Sequence, residues 1–397
     1  MEENQQQCPV RHIWEPQQGQ VQQQASTGSE CPVRNTWDTS SLYHTNGQFQ
    51  HPPISQTNGQ ARCPMGYFSI SASSGAPASS SDGAPKCPFA SLSLGSSTDR
   101  RAPPEQLRLT ILGHVTNDIN IFVGKETRAQ GGGVLFSGVA ASNLGMNVEV
   151  VTKCSAEDKP VFQKIFAPSG TKVQFLPSQE TTCCENNYPK PNSDERVQRF
   201  HAVGAPFTVD DLKHIESTIV HINPLSYGEF PDELIPKIKE LNPSVQYLVA
   251  DAQGFIRHID MQNGGKISHK DWAAKEQYLK YFDLFKVDDK EATVLTGEKD
   301  MKRAMQILHE KGAKMVLGTY NAGVLLFDGN IFYQASFGPW KVEGRTGRGD
   351  TVTASFLAAA GLSGGPWKRN VALEFAARVT TTKMQYPGPY RRPTASL

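Results

Sequence analysis

The chain has 397 residues, enough for two or three average domains or for one large domain with a tail. Its 40 basic residues nearly balance its 39 acidic ones, which argues against a general role in binding nucleic acid or membrane surfaces. No run of roughly 18 apolar residues is present, and the amino terminus lacks the basic and apolar character of a secretory signal. We therefore expect a soluble, cytoplasmic protein with reduced cysteines.

Residues 1–105 are rich in Gln, Ser, Gly and Pro and have almost no apolar periodicity. Such a segment cannot bury enough apolar surface to offset its conformational entropy, so we predict a disordered tail. The first two cysteines of the tail belong to a repeat, CPVRHIW and CPVRNTW. All the cysteines of the tail precede a proline and then an apolar residue: Cys8, Cys31, Cys63 and Cys87.

A Cys-Pro pair followed by an apolar residue resembles the haem-regulatory motif, in which the thiolate ligates haem iron. On this resemblance, the tail would bind haem reversibly and report haem or redox state to the rest of the chain. The alternative is a duplicated low-complexity tail whose Cys-Pro units bind a protein partner, or nothing.

From Leu107 onward, short apolar runs alternate with amphipathic segments, which predicts an α/β sheet with helices on its faces. The runs Ile219–Ile222 and Val245–Val249 are nearly continuous, as in parallel strands covered on both sides. Further strands are predicted at Leu107–Gly113, Val148–Thr152, Lys172–Leu176, Phe282–Val287 and Lys314–Thr319.

Two helices are each preceded by a cluster of glycines. In Gln130–Gly145 the glycines, among them Gly131 and Gly132, stand in front of a helix of small residues, so that a bound molecule can lie against the backbone. A last long helix is predicted at Trp367–Gln385.

The second glycine cluster lies in Val342–Leu362, where Gly344, Gly347 and Gly349 precede a helix that we expect to begin near Asp350. Glycines and the free N–H groups of a first helical turn form a site for anions. A carboxylate there would repel a phosphate unless it acted on a second reactant, and a general base for a hydroxyl fits. The alternative is that Asp350 caps the helix and the glycines form an ordinary loop.

Polar residues also follow the predicted strands, where ligands bind in open α/β sheets. Each has an alternative that involves no ligand. For Asp118 it is a turn, and for the segment DAQGFIR it is a solvent-exposed turn. For Asp288 it is an acidic residue that favours the start of a helix. The candidates are Asp251, Gln253 and Arg257 in the segment DAQGFIR. Asp118 beyond the first strand, and Asp288 and Glu291 after Phe282–Val287, are acidic residues at similar places in the chain.

These motifs resemble those of the ribokinase-like (PfkB) carbohydrate kinases. Thr346, Gly347, Gly349 and Asp350 match the pattern Asp-Thr-x-Gly-Ala-Gly-Asp near the carboxyl end of that family. The segment Gln130–Gly145 resembles the pattern near its amino end, and DAQGFIR is similar to a branch with plant inositol kinases and archaeal sugar kinases. The departures are Gly344-Arg345, Arg348 and Phe136, which replace Asp-Thr, Ala and Asn.

The resemblance implies a fold and a domain boundary. Residues 106–397 would form a ribokinase-like three-layer sandwich with a central, mostly parallel sheet. A small β lid, with strands at roughly 115–130 and 172–203, would close over the acceptor. In the family such a lid often forms a homodimer contact.

The resemblance also implies a reaction, in-line transfer of the ATP γ-phosphoryl group to a hydroxyl of a small sugar or cyclitol. Asp350 would take the proton. The other implied roles are anion binding for Gly347, Arg348 and Gly349; acceptor binding for Asp118, Gly131, Gly132, Asp251, Gln253 and Arg257; nucleotide binding for Thr346, Gly323 and Thr319; and binding of hydrated Mg²⁺ for Glu291 and Asp288. Lys383 of the last helix is a candidate neighbour of a phosphate or base edge in the nucleotide site, and the alternative is a solvated lysine.

The competing class of function is a binding or sensing protein. With Arg348, Phe136 and Asp288 altered, the domain would bind nucleotide and sugar but catalyse poorly, and the Cys-Pro tail would be the working part. The sequence leaves the acceptor open among inositol, a sugar and a nucleoside.

Overall fold

The computed structural model describes residues 107–190, 196–339, 343–359, 361–362 and 365–392. The predicted tail lies outside the described residues, and so do Cys8, Cys31, Cys63 and Cys87. The hypothesis that these cysteines bind haem therefore stays a prediction from sequence. Among the described residues, no helix combines the length and apolar character that crossing a membrane requires.

The strands and helices are numbered in chain order. The strands are β1 (Arg108–Leu112), β2 (Thr116–Phe122), β3 (Lys125–Gly131), β4 (Asn147–Cys154), β5 (Lys172–Pro177), β6 (Thr182–Tyr188), β7 (Val197–Ala202), β8 (Ile219–Ile222), β9 (Tyr247–Asp251), β10 (Arg257–Asp260), β11 (Lys266–His269), β12 (Leu284–Asp288), β13 (Val316–Tyr320), β14 (Gly323–Phe327) and β15 (Phe332–Ser336). The helices are α1 (Gly133–Asn143), α2 (Lys159–Phe166), α3 (Leu234–Leu241), α4 (Gln253–Ile256), α5 (Lys275–Tyr278), α6 (Asp289–Thr296), α7 (Met301–Glu310), α8 (Arg348–Ala358) and α9 (Pro366–Met384).

A nine-stranded sheet forms the centre of the fold, in the order β15-β14-β13-β12-β9-β8-β1-β4-β5. The strands from β13 to β5 pair in parallel, whereas β14 and β15 are antiparallel at one edge. The predicted α/β class with a mostly parallel sheet is therefore confirmed.

Helices cover both faces of this sheet because successive residues of its strands point in opposite directions. Ile111 packs in a cluster with α1, α8 and α9 on one face. The next residue, Leu112, packs in a second cluster with α3, α6 and α7 on the other. Both strand faces are thus apolar, which explains the continuous apolar runs in the sequence and gives the predicted three layers.

A second, six-stranded sheet has the order β10-β11-β7-β6-β2-β3 and forms the lid. The predicted lid range of 172–203 was wrong at its start, because β5 pairs in parallel with β4 at the edge of the large sheet. The lid also contains β10 and β11, which the sequence did not indicate. They pair with each other, and β11 joins the lid through β7.

A buried histidine, His114, connects three segments of the chain that run between the large sheet and the lid. His114 follows β1, and its Nδ1 lies 3.0 Å from Thr182 Oγ1 at the start of β6. Its Nε2 lies 3.0 Å from the carbonyl oxygen of Ala205, beyond β7. Because a carbonyl oxygen only accepts hydrogen bonds, Nε2 carries a proton and donates it to Ala205.

The carboxyl ends of the parallel strands meet at one edge of the large sheet, below the lid. β9 runs two residues further than predicted, so that Asp251 is its last residue. β12 likewise ends at Asp288, and Asn223 directly follows β8. This edge is where ligands bind in open α/β sheets.

Candidate active site

A cavity of about 390 Å³ is bounded by residues of the carboxyl edge of the large sheet and of the lid. It combines acidic, basic and amide side chains with exposed backbone. Its lining includes Thr116, Asp118, Asn186 and Gln198 of the lid; Gly132, Gly133 and Phe136 around the start of α1; Gln253, Arg257, Lys286, Asp288, Glu291, Thr319 and Asn321 near the strand ends; and residues 345–350.

Asp350 lies in the first turn of α8, at the wall of this cavity. The helix begins at Arg348, two residues before the predicted start, because Gly347 adopts a left-handed conformation with φ of 78° and ends the preceding loop. A Cβ atom on Gly347 would lie 2.2 Å from the Phe136 ring. Backbone conformation and space therefore both require glycine there. In the first turn of α8, the amide of Arg348 donates to the carbonyl oxygen of Arg345 at 3.1 Å, which leaves the amides of Gly349 and Asp350 for an anion.

The carboxylate of Asp350 is held in place by an amide. Asn223 Nδ2 donates a hydrogen bond of 2.9 Å to Asp350 Oδ1, and the same nitrogen donates to Ser137 Oγ at 2.9 Å. Burial raises the pKa of Asp350, and the neighbouring charge of Asp251 raises it further. Asp350 is therefore a fixed carboxylate with an increased affinity for a proton, which suits a general base.

Asp251 lies beneath the cavity and not on its wall, so the prediction that it binds the acceptor directly is wrong. Only 1% of its surface is exposed. Its Oδ1 accepts a hydrogen bond from Thr353 at 3.3 Å and lies 3.6 Å from His221 Nε2. Although burial opposes ionisation, Lys286 and His221 lower the pKa of Asp251. The charge of Asp251 acts on the site through Asp350.

Lys286 is a buried cation at the cavity wall, among four carboxylates. Burial alone would lower the pKa of Lys286, but Glu291, Asp251, Asp288 and Asp350 raise it above its ordinary value. The side chain therefore stays charged. A Cβ atom on Gly349 would lie 2.7 Å from Lys286 Nζ, which brings this charge against the glycine loop.

The two predicted magnesium ligands form the start of α6. Asp288 Oδ1 accepts from the amide of Glu291, and Glu291 Oε2 accepts from the amide of Asp288, both at 2.7 Å. Glu291 Oε2 also lies 3.5 Å from Lys286 Nζ. Burial and Asp288 raise the pKa of Glu291 to about 7 despite Lys286.

These acids fit a hydrated ion better than a directly bound one. Each of the two carboxylates already accepts a backbone hydrogen bond, and no cluster of three metal-binding side chains occurs among the described residues. Mg²⁺ keeps several waters and takes few protein carboxylates. Asp288 and Glu291 can therefore bind the waters of an ion carried by a phosphate donor.

Asp118 lies in the lid on the opposite side of the cavity, and Thr116 Oγ1 donates a hydrogen bond of 2.6 Å to its Oδ1. Burial raises the pKa of Asp118 to about 6. Gly132 is part of the cavity wall as predicted, but Gly131 is not in its lining. A Cβ atom on Gly131 would lie 2.3 Å from Asp118 Oδ2, so this glycine leaves space for the carboxylate.

Gln253 and Arg257 lie at the cavity wall and connect the lid to the candidate base. Arg257 Nη2 donates to Gln253 Oε1 at 3.2 Å, and Gln253 Nε2 donates to Asn223 Oδ1 at 3.4 Å. Since Asn223 in turn donates to Asp350, a chain of hydrogen bonds joins these four residues. Within the part of the chain that the structure describes, the Nε of Arg257 is buried without a hydrogen-bond partner.

Of the residues predicted to bind nucleotide, Thr319 and Thr346 line the cavity, but Gly323 does not. Gly323 begins β14 and pairs with Ser336 of β15. A Cβ atom on Gly323 would lie 2.2 Å from the carbonyl oxygen of Ala335. Strand pairing therefore explains the glycine, and the nucleotide contact of Gly323 stays a prediction.

Lys383 is also not in the cavity lining, so its predicted contact with a nucleotide is wrong. The side chain is fully buried. Its ammonium donates hydrogen bonds to the carbonyl oxygens of Gly344, at 2.7 Å, and Thr346. Burial lowers the pKa of Lys383 to about 8, and Asp350 partly offsets this shift.

Several polar residues of the site were not predicted from the sequence. The sequence contains a signal that could have identified Lys286, because a charged residue inside the apolar run Phe282–Val287 is unusual. Asn223 had one too, since it directly follows the apolar run of β8. Asn186 and Gln198 had none, because only the pairing of β6 with β7 brings them together at the cavity.

Comparison with known proteins assigns the family. The model of the pfkB family carbohydrate kinases matches residues 254–395. A cytidine kinase of Thermococcus kodakarensis is 26% identical over 267 residues, which cover 64% of this chain and 88% of the relative.

Two solved structures are more similar. A pyrophosphate-dependent kinase of the ribokinase family, complexed with a pyrophosphate analogue and myo-inositol, is 45% identical with a TM-score of 0.64. A sulfate complex of a pyrophosphate-dependent kinase in this family is 46% identical with a TM-score of 0.66. Each covers 71% of this chain and 97% of the other chain. The chain therefore belongs to the ribokinase (PfkB) family of carbohydrate kinases and is a phosphotransferase.

Proposed function

We propose that this kinase transfers a phosphoryl group to a hydroxyl of a small cyclitol, or of a sugar, with Asp350 as the general base. The observation that carries the proposal is the position of Asp350. It stands at the open first turn of α8 and at the wall of a cavity whose opposite side carries Asp118. An anion at the helix start and a hydroxyl near Asp350 would thus be adjacent.

Polar side chains of the lid support a polyhydroxylated acceptor. Asp118, Asn186 and Gln198 line the lid side of the cavity, and Gln198 Nε2 donates to Asn186 Oδ1 at 2.8 Å. Such groups match the hydroxyls of a ring without requiring charge on it. The 45% identical kinase that was solved with myo-inositol supports a cyclitol. A nucleoside is the second candidate, because of the related cytidine kinase.

In the reaction, Asp350 would orient the acceptor hydroxyl and take its proton as the bond to phosphorus forms. Amides of the first turn of α8 and the ammonium of Lys286 would stabilise the charge on the transferring group. Asp288 and Glu291 would hold the waters of Mg²⁺, which supplies charge neutralisation on the donor phosphates.

For the donor, the sequence predicts ATP, which kinases of this family generally use with Mg²⁺. We propose that pyrophosphate is the preferred donor of this chain. Lys286, Lys290, Arg345 and Arg348 give the donor end of the cavity four basic side chains. A short inorganic donor gains its binding energy from such charges, since it has no base or ribose. The two similar pyrophosphate-dependent kinases support this choice.

Asp350→Asn should lower kcat by roughly 10²-fold or more, because an amide cannot accept the proton. Turnover is measured with myo-inositol, ribose, fructose and cytidine as acceptors. Asp300→Asn is the matched control, since Asp300 caps α7 and asparagine caps equally well. Near-wild-type turnover of Asp350→Asn would refute the assignment of the base. Negligible turnover of the wild-type protein with every acceptor would instead favour the alternative of a weakly catalytic sensor.

Arg348→Met should raise the KM for pyrophosphate about 10-fold to 100-fold, the effect of losing one hydrogen bond to a charged group. The KM for the acceptor should change little. Arg303→Met, on the exposed side of α7, should change neither value. If wild-type protein uses ATP at least as efficiently as pyrophosphate, the proposed donor is wrong and the donor predicted from sequence is right.

The raised pKa values of the site acids set the acid limit of activity. A raised pKa means that the deprotonated, working form is lost at a higher pH than for an ordinary carboxyl group. The kcat/KM for the acceptor should therefore fall between about pH 7 and pH 6, through Glu291 and Asp118.

The phosphate groups of the donor also change their ionisation in this pH range. Their effect is the same for Glu291→Gln and wild type at the same donor concentration, so it cancels when the two pH profiles are compared. In Glu291→Gln, the part of the fall in kcat/KM that occurs near pH 7 should be absent. A wild-type profile that stays flat down to pH 5 would contradict the proposed ionisation states.

We also propose that two copies associate through the lid. The side chains of Phe122 and Val197 in the lid are 53% and 52% exposed. The ring of Phe122 stacks on that of Tyr188, with the ring centres 4.6 Å apart. Sedimentation of the full chain should give a dimer, and Phe122→Glu should shift it to monomer. Val371→Glu, on α9, should not. A wild-type monomer at tens of micromolar protein would contradict the proposal.

A further inference from the structure

Lys383 stands out because it is a fully buried ammonium group that does not contact the cavity. It lies in the last turn of α9, where the helix dipole favours a cation. Its partners are two backbone carbonyl oxygens, those of Gly344 and Thr346, in the loop that leads into α8. The Phe136 ring lies 5.3 Å from Nζ and adds a cation–π contact.

The hydrogen bond to Thr346 has a geometric consequence for the anion site. The carbonyl of Thr346 and the amide N–H of Gly347 belong to one planar trans peptide unit, in which the two groups point in opposite directions. With the oxygen directed at Lys383, the N–H of Gly347 is directed away from Lys383. Gly347 lies in the cavity wall. Likewise, the carbonyl of Gly344 shares its peptide unit with the amide of Arg345, another residue of the wall.

We propose that the ammonium of Lys383 is a resident cation that orients the anion-binding loop, so that the amide of Gly347 donates to the donor phosphoryl group. Lys383 is thus a positioning residue and not a catalytic one. Two carbonyl oxygens and an aromatic face are also suitable ligands for a free monovalent cation. A built-in ammonium therefore makes the loop independent of cations from solution. This inference rests on the proposed phosphotransfer at Asp350.

The test variant is Lys383→Met, whose side chain fills the lysine stem but leaves the Nζ position empty. We expect kcat to fall by about 10²-fold, the usual effect of losing one oriented amide donor, while the KM for myo-inositol changes little. Ammonium or potassium chloride should restore at least part of the loss by occupying the Nζ position. Tetramethylammonium chloride, which is too large, should not.

Lys153→Met is the matched control. Lys153 is also buried, donates to the carbonyl oxygen of Pro206 at 2.9 Å and lies 5.5 Å from the centre of the Phe207 ring. It also pairs with Asp211 at 2.7 Å. Its removal should lower thermal stability without any rescue of kcat by ammonium. Equal rescue in both variants would overturn the proposal.

Three further results would also overturn it. The first is a folded Lys383→Met with wild-type kcat and wild-type affinity for pyrophosphate. The second is a folded variant that loses activity but responds to ammonium and potassium no better than to tetramethylammonium. The third needs no variant: wild-type protein in tetramethylammonium buffer should be fully active, and a requirement for added potassium would contradict a resident cation.

Calorimetric binding of pyrophosphate and of ATP separates this inference from the proposed function. If wild-type protein binds a donor but phosphorylates no acceptor tested, the proposed acceptor fails. The effect of Lys383→Met on donor affinity, and its rescue by ammonium, then still test the role of Lys383.

Discussion

One buried ammonium group balances the acids of the candidate active site. The charge of Lys286 interacts with the acids that begin α6 and with Asp251 and Asp350. Removing one partner from such a buried group typically costs about 3–5 kcal/mol, because the remaining charges are left without compensation. With Lys286 and His221 beside it, Asp251 stays ionised, and its negative charge helps raise the pKa of Asp350. The balance of these charges makes one aspartate a structural anion and the other a candidate base.

The second constraint is the set of buried hydrogen bonds that connects the large sheet to the lid. The cavity exists because the lid stands over the carboxyl edge of the large sheet, and His114 connects the segments that run between the two. Glu229 supports the same connection, since it accepts hydrogen bonds from the amide of His114 at 2.7 Å and from that of Leu225 at 2.9 Å. Leu225 is itself part of the cavity wall. Polar contacts that are buried and satisfied in this way hold a single arrangement of the lid.

The donor end of the cavity consists of a glycine loop at a helix start, with basic side chains beside it. Gly347 and Phe136 pack so closely that the start of α8 has one geometry, and Lys383 donates hydrogen bonds to the loop before it. Onto this framework the chain adds Arg345 and Arg348. A glycine loop binds any phosphate through backbone amides, so the side chains around it decide which donor gains the most.

Features that depend on local sequence pattern were predictable before the fold was known. Continuous apolar runs predicted the parallel strands, because strands covered on both faces need apolar residues at every position. The order of Gly347, Gly349 and Asp350 predicted an anion site with an adjacent carboxylate, because glycine and a helix start are local features.

Which polar residues reach the cavity depends on how the strands and helices pack together. Asp251 and Gly323 fit a local motif, yet one lies beneath the wall and the other pairs two strands, because strand register and sheet order fix those positions. Asn186 and Gln198 come together through pairing across the lid. Lys383 meets Gly344 only because α9 packs its last turn against a loop about 40 residues away in the chain, a distance that no local pattern spans.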